Sequence, residues 1–199
     1  MTTLSPTMSL EEQRLAFTHR RFLATPLSGL ICWAAIGIGS LFLNDFQSSM
    51  LLFIATGSIV YLAMLVSKLT GETFFRKEKN PFDRLFFGGL LMALLVYSIA
   101  IPFFLKDHRS ITLTVGILTG LMWIPFSWII QHWIGYFHAI SRTLSILVVW
   151  YVFPEHHFQI IPAIIVVIYL ITIFTMEKRW KIISQSIEIN RPNKNLENQ

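Results

Sequence analysis

The sequence predicts an all-α fold: a bundle of six transmembrane helices, both termini cytoplasmic, preceded by an N-terminal juxtamembrane amphipathic helix. Three observations carry that prediction. Hydrophobic residues make up 54% of the chain and charged residues only 14%, where a soluble domain has about a quarter charged. Six windows (26–43, 50–67, 85–105, 111–130, 134–153 and 158–176) are apolar over the roughly 20 residues that a bilayer core of about 30 Å demands, and none contains Asp or Glu. Lys and Arg fall into alternate gaps between these windows. Thirteen lie in the N-terminal segment, the gap after the second window and the C-terminal segment, against two (Lys106 and Arg109) in the other gaps, with Arg142 inside a window. Cytoplasmic flanks retain positive charge during insertion, so this bias sets both termini inside.

The chain divides into three regions: a cytoplasmic segment with a juxtamembrane helix at 1–24, a membrane domain at 25–176, and an interfacial helix with a disordered tail at 177–199. Ser9 and Glu12 form a capping-box pattern, with acids in the first turn and Arg20 and Arg21 towards the end, which predicts a helix over 10–23. No A-x-A site comes after the first apolar run, and Glu11 and Glu12 precede it, so that span reads as a retained anchor. Thr25 is placed to cap it, with Pro26 at the first helical position. Cys32, the sole cysteine, reads as a small packing residue.

Ser28, Cys32, Ala35 and Gly39 make a small-residue stripe on the first span; Gly89, Ala93 and Ala100 make another on the third, and the fourth carries Gly116 and Gly120. Such stripes let helices approach closely in lipid. They predict a tight centre of spans one, three and four; a homo-oligomer interface is their other use. The loop 68–84 mixes Phe74, Phe75 and Phe82 with five cations and reads as a positive loop facing anionic inner-leaflet lipid. Its Asn80-Pro81 step leads into the third span. Pro125, inside the fourth span, is expected to kink it and to leave the Leu121 carbonyl needing a partner, with Trp33 and Trp123 near mid-membrane as the walls of a pocket.

The richest polar cluster lies just beyond Pro125. Ser127, Gln131, His132, Tyr136, His138 and Arg142 occupy the stretch where span four gives way to span five, and Ser145 continues the line. His138 and Arg142 are four apart and share a helix face. A charge at that depth must reach water, lipid phosphate or a counter-charge. The expected ion-pair partners of Arg142 are Asp83 and Glu177, and the expected ligand-binding set is His132, His138, Arg142, Trp123, Tyr136 and Ser145. Glu155, His156 and His157 in one outer loop, with Asp45, Asp107 and His108 in the others, are the metal candidates, but adjacent histidines lack ligand spacing and no metal or other cofactor is expected. Trp180, Ile183 and Ile187 extend span six along the interface.

Absences narrow the classes. The spans hold no carboxylate, which argues against cation-coupled transport, and the chain has no H-E-x-x-H, G-x-S-x-G or P-loop. Catalysis is the least supported class. The pI near 9.6 comes from topology and requires no nucleic acid. The stretch from Trp123 through Pro125, Ser127 and Trp128 to His132, His138 and Arg142, with Asn80-Pro81 before it, resembles a group of uncharacterised small bacterial polytopic membrane proteins. That resemblance implies an inner-membrane location and no reaction. Two functions are expected: a small-solute, possibly anionic, transport or ligand-binding protein with a cytoplasm-facing polar cluster, or a non-catalytic protein binding lipid or a partner, with Arg142 in a structural ion pair.

Overall fold

The computed structural model describes residues 8–73 and 80–189, with side chains as far as 186, and every regular element among them is helical. Phe74, Phe75, Arg76, Lys77 and Lys79 of the internal loop, the side chain of Ile187 and the tail 190–199 lie outside the described residues.

The first helix, α1 (Leu10–Thr18), carries the capping box in full: Ser9 N–H donates to Glu12 Oε2 at 2.6 Å and Glu12 N–H to Ser9 Oγ at 3.2 Å. It stops five residues short of the expected end. Past Thr18 the chain unwinds, and Arg20 and Arg21 leave the helix axis for carboxylates on other helices instead of serving the helix dipole.

α2 (Ala24–Gly39) begins one residue before Thr25, so Thr25 is not its cap. The cap comes from far along the chain. Glu72 accepts from the Leu23 and Ala24 N–H groups, each at 3.1 Å to Oε1, occupying two donors that a helix start leaves bare. α3 (Asp45–Thr70), opened by an Asn44–Gln47 capping box, delivers that carboxylate: it ends at Gly71, whose φ of 72° is the left-handed conformation glycine adopts at no steric cost.

α4 (Pro81–Leu95) starts as Asn80-Pro81 predicts, with Asn80 Oδ1 accepting from Phe82 N–H at 2.9 Å and Pro81 as first residue. It runs on almost without a break into α5 (Tyr97–Lys106). α6 (Ser110–Leu118) and α7 (Trp123–Ile130) are separated by turns at 119–122, and α8 (Ile134–Val152) and α9 (His157–Ile189) complete the chain.

Four stretches are long and apolar enough to cross a membrane: Asp45–Thr70, Pro81–Lys106, Ser110–Ile130 and His157–Ser186. The chain is a membrane protein on that ground. The expected first and fifth spans fall outside this set for different reasons. α2 ends at Gly39, before Leu41 and Phe42, and has only 16 residues; α8 is long enough at 19 but carries Tyr136, His138, Ser141, Arg142, Thr143 and Ser145.

The tight centre is not the expected one. α2 packs mainly against α3 and α9, and α9 also against α8, whereas α4 and α5 stand at the edge. A Cβ placed on Gly29 would meet the Tyr169 ring and one on Gly37 would lie 3.2 Å from Pro162, so these two glycines, flanking buried Trp33, make the α2–α9 approach. In the predicted stripes Ser28, Cys32, Gly89 and Ala100 are buried but Ala35 is exposed, and a Cβ at Gly89 would meet nothing within 4 Å.

Candidate functional site

Arg142 and His138 come together as their spacing predicts, but inside a sealed core: 1% and 0% of their surfaces are exposed. Neither acid expected to pair with Arg142 does so. Asp83 takes Arg20 and Glu177 takes Arg21, and among the described residues no carboxylate lies within ion-pair distance of Arg142. Its partners are made by the interrupted fourth span. Between α6 and α7 the backbone tightens, with Gly120 N–H bonding to Ile117 O at 2.9 Å, which releases the Gly116 carbonyl from its usual partner. Arg142 Nε donates to that carbonyl at 2.6 Å and Nη2 to Thr119 Oγ1 at 3.0 Å. The guanidinium lies 4.9 Å from the Trp33 ring centre and 6.0 Å from that of Tyr169. Gly120 supplies the room, since a Cβ there would stand 2.9 Å from Arg142 Cδ.

The break also revises the role of Pro125. It lies in the first turn of α7 and does not kink a continuous helix; the Leu121 carbonyl accepts from Ile124 N–H at 3.1 Å. Trp123 stacks on His138 at 4.3 Å, and His138 Nδ1 pairs with Thr172 Oγ1 at 2.9 Å while its Nε2 has no hydrogen-bond partner.

The other candidates disperse. Tyr136 points outward, and Ser145 lines an open groove with Ser141 and Gln159 between α8 and α9. His132 is half-buried beside the α7–α8 turn, where Ser127 Oγ donates to the His132 carbonyl and accepts from Tyr136 N–H at 3.2 Å. Burial first, and Arg179 second, hold the His132 ring below the ordinary histidine pKa. At the opposite end the loops that hold the metal candidates do converge, but on a cation. Arg109 Nε lies 2.8 Å from Asp45, and its Nη1 3.7 Å from Glu155; His156 is exposed and His157 is folded in against Trp150. Among the described residues no three of His, Cys, Asp and Glu are grouped to hold a metal.

The feature that sequence reasoning missed is a collar at the end where α1 meets the bundle. Arg20 chelates Asp83 on α4, Arg21 chelates Glu177 on α9 at 3.0 and 2.9 Å, and Asn80 Nδ2 donates to the Gln13 carbonyl at 2.7 Å. Arg179 reaches the Thr18 and Ile130 carbonyls at 3.1 and 3.3 Å, covering the C-terminal ends of α1 and α7.

The collar encloses a cavity of about 370 Å³, its lining including Phe17, Arg20, Arg21, Glu72, Asp83 and Trp180. Below it an apolar crevice of about 50 Å³ runs between Ile59 and Val60 on α3 and Leu90 and Ala93 on α4, floored by Trp123 and Tyr169. Thr25 lines both, and a small gap bounded by Phe22, Phe86 and Met122 lies between them. The crevice exists because α3 and α4 make little direct contact.

Burial raises the Glu72 pKa above the ordinary carboxylate value, against the opposing pull of its bonds to Ala24, Thr70 and Leu23 and the charge of Arg21. The folded chain then binds a proton more tightly than the unfolded chain does, so this group's contribution to stability is largest at low pH and falls as pH rises above the ordinary carboxylate range. Glu72→Gln keeps an acceptor for α2 and removes the titration. The melting-temperature advantage of wild type over this variant is expected to shrink on going from about pH 4 to pH 7; an advantage that grows with pH would contradict the assignment.

A family model described as "Family of unknown function (DUF7010)" matches residues 10–179. No curated protein and no solved structure matches the chain.

Proposed function

The chain belongs to that family, and from this premise we propose that it is a non-catalytic integral membrane protein that binds an amphiphile, with the polar head in the collar cavity and the apolar part in the crevice between α3 and α4. The observation that carries the reading is the succession of a charged, aromatic cavity, a gap of about 10 Å³ and an apolar crevice, three separate spaces that share Thr25. Ligand sites are mostly apolar with a few placed polar groups, which is the character of this pair of spaces. A small-solute path through His138 and Arg142 draws no support from their geometry, since both side chains are sealed and engaged with neighbours.

The remaining assignments belong to the same reading: six spans, both termini in the cytoplasm of a bacterial inner membrane, and anionic inner-leaflet lipid around Lys68, Lys178 and Lys181. They rest on the thirteen-to-two distribution of Lys and Arg, which puts the collar at the cytoplasmic boundary. As it stands the crevice has room for little more than a water molecule or two. Occupancy therefore requires α4 to move outward, and the span Pro81–Lys106, with 17% of its window buried, is the least embedded of the four.

The test is photocrosslinking with a single-chain lipid carrying a diazirine in its tail, added to the purified full chain in detergent. Adducts are expected on Ile59, Val60, Leu90 and Ala93, and to fall at least fivefold in an Ala93→Trp variant that fills the crevice. Labelling spread evenly over outward-facing Ile54, Tyr151 and Phe174 would overturn the proposal.

A further inference from the structure

We infer that α1 and the linker 19–23 form a strap whose Arg20–Asp83 pair holds α4 against the bundle, and that release of this pair admits the amphiphile to the crevice; the inference rests on the amphiphile reading above. Occupancy needs α4 to move away from α3, so whatever fastens α4 decides access. Along most of its length little does. Leu85, Leu91, Met92, Leu94 and Leu95 are exposed, and the inner face rests on α7 through Phe86 and Phe126, whose ring centres are 5.8 Å apart. Apolar contact of that kind is non-directional and lets a helix slide. The start of α4 is held differently. Asn80 Nδ2 donates to the Gln13 carbonyl of α1 at 2.7 Å, and the rings of Phe82 and Phe86 stand 6.5 and 6.3 Å from that of Phe17. Arg20 grips Asp83 with both terminal nitrogens, one on each carboxylate oxygen. The strap is in turn moored to α9, by Arg21 on Glu177 and by Arg179 on the Thr18 carbonyl.

This fastening is one that can open. Arg20 and Asp83 keep 14% and 21% of their side-chain surfaces exposed, so water reaches both as they part. In the closed state Arg20 Nε is buried with no hydrogen-bond partner among the described residues, a cost that hydration on opening removes. Asp83 lies in the first turn of α4, where the helix dipole favours a carboxylate, so α4 keeps its start when the guanidinium leaves. His19, Arg20, Arg21 and Phe22 also wall the collar cavity, so movement of the strap widens the space for the head as it frees α4.

The experiment uses one protein in two states. Arg20→Cys and Asp83→Cys are combined in a Cys32→Ser background, and the two thiols are bridged by a short bifunctional thiosulfonate that a reductant cleaves. The full chain in detergent is labelled with the diazirine lipid in each state. Unbridged, adducts on Leu90 and Ala93 are expected to rise about threefold over the Cys32→Ser parent; bridged, they should fall roughly threefold below it, and reductant should restore the higher level. Arg20→Met removes the grip and leaves the Asp83 charge on α4, and is expected to label like the unbridged form. Equal labelling with and without the bridge would overturn the strap and leave the amphiphile site standing. Absence of crevice adducts from the parent and from every variant would sink the amphiphile reading, and the strap with it.

Discussion

Arg142→Ala is expected to cost the fold about 3–5 kcal/mol, as when one side of a buried, engaged polar constellation is removed. The alanine leaves the Gly116 carbonyl without its 2.6 Å donor in a place water does not reach, and opens a void between Trp33, Tyr169 and Gly120. An orphaned buried carbonyl alone costs about 1–3 kcal/mol, and truncation of a large buried side chain about 2–5. Arg142→Lys should lose roughly half as much, because an ammonium on a flexible stem meets either Gly116 O or Thr119 Oγ1 but lacks the planar fork that serves both. Equilibrium unfolding in mixed micelles measures both. An alanine variant within about 1 kcal/mol of wild type would show that the helix break holds without its guanidinium.

The second large effect is expected at Gly135. A Cβ there would come within 2.6 Å of Ser127 Cβ and 3.1 Å of Ser127 Cα, and closer still to the Trp123 carbonyl, so the clash is with the α7 backbone and not with a side chain that can swing aside. Overpacking costs about 1–3 kcal/mol where side chains can yield, and Gly135→Ala should lie at or above the top of that range, with Gly135→Val worse. Gly88, beside which a Cβ meets nothing, is the control: Gly88→Ala is expected to be neutral or stabilising by a few tenths of a kcal/mol. If the two alanine variants melt together, α7 and α8 are not packed as closely as described.

What could be read from the chain depended on how far apart the interacting residues lie. Ser9 with Glu12, and Asn80 with Pro81, act within one turn, and both helix starts emerge where the residues put them. The end of α1 and the cap of α2 do not, because they are decided by Asp83, Glu177 and Glu72, which are 48 or more residues away. The partners of Arg142, 26 and 23 residues away, were hidden for another reason. Reasoning from charge offered only carboxylates, yet the acceptor is a backbone carbonyl freed where a helix stops, and no side chain announces it. Pro125 did point to the right span, though the interruption falls at 119–122 and the proline merely sits in the opening turn of α7. Small residues told less on α4, where a Cβ at Gly88 or at buried Gly89 would meet nothing within 4 Å, since a stripe describes what a helix permits and says nothing of which neighbour arrives.

The short α2 has a consequence for the lipid. Sixteen residues rise about 24 Å, some 6 Å less than an average hydrocarbon core, and the helix is held at one end by Glu72 and flanked along its length by α3 and α9. Tilting cannot help, because it shortens the thickness that a helix spans. Exposed Leu41 and Phe42, in the turn just past Gly39, carry the apolar surface a little further without lengthening the helix. On the six-span reading proposed above, the remaining mismatch falls on the bilayer, which would thin on that side of the protein. Acyl-chain length thus becomes a determinant of stability, and reconstitution should be most favourable in lipids whose chains are a few carbons shorter than the membrane average.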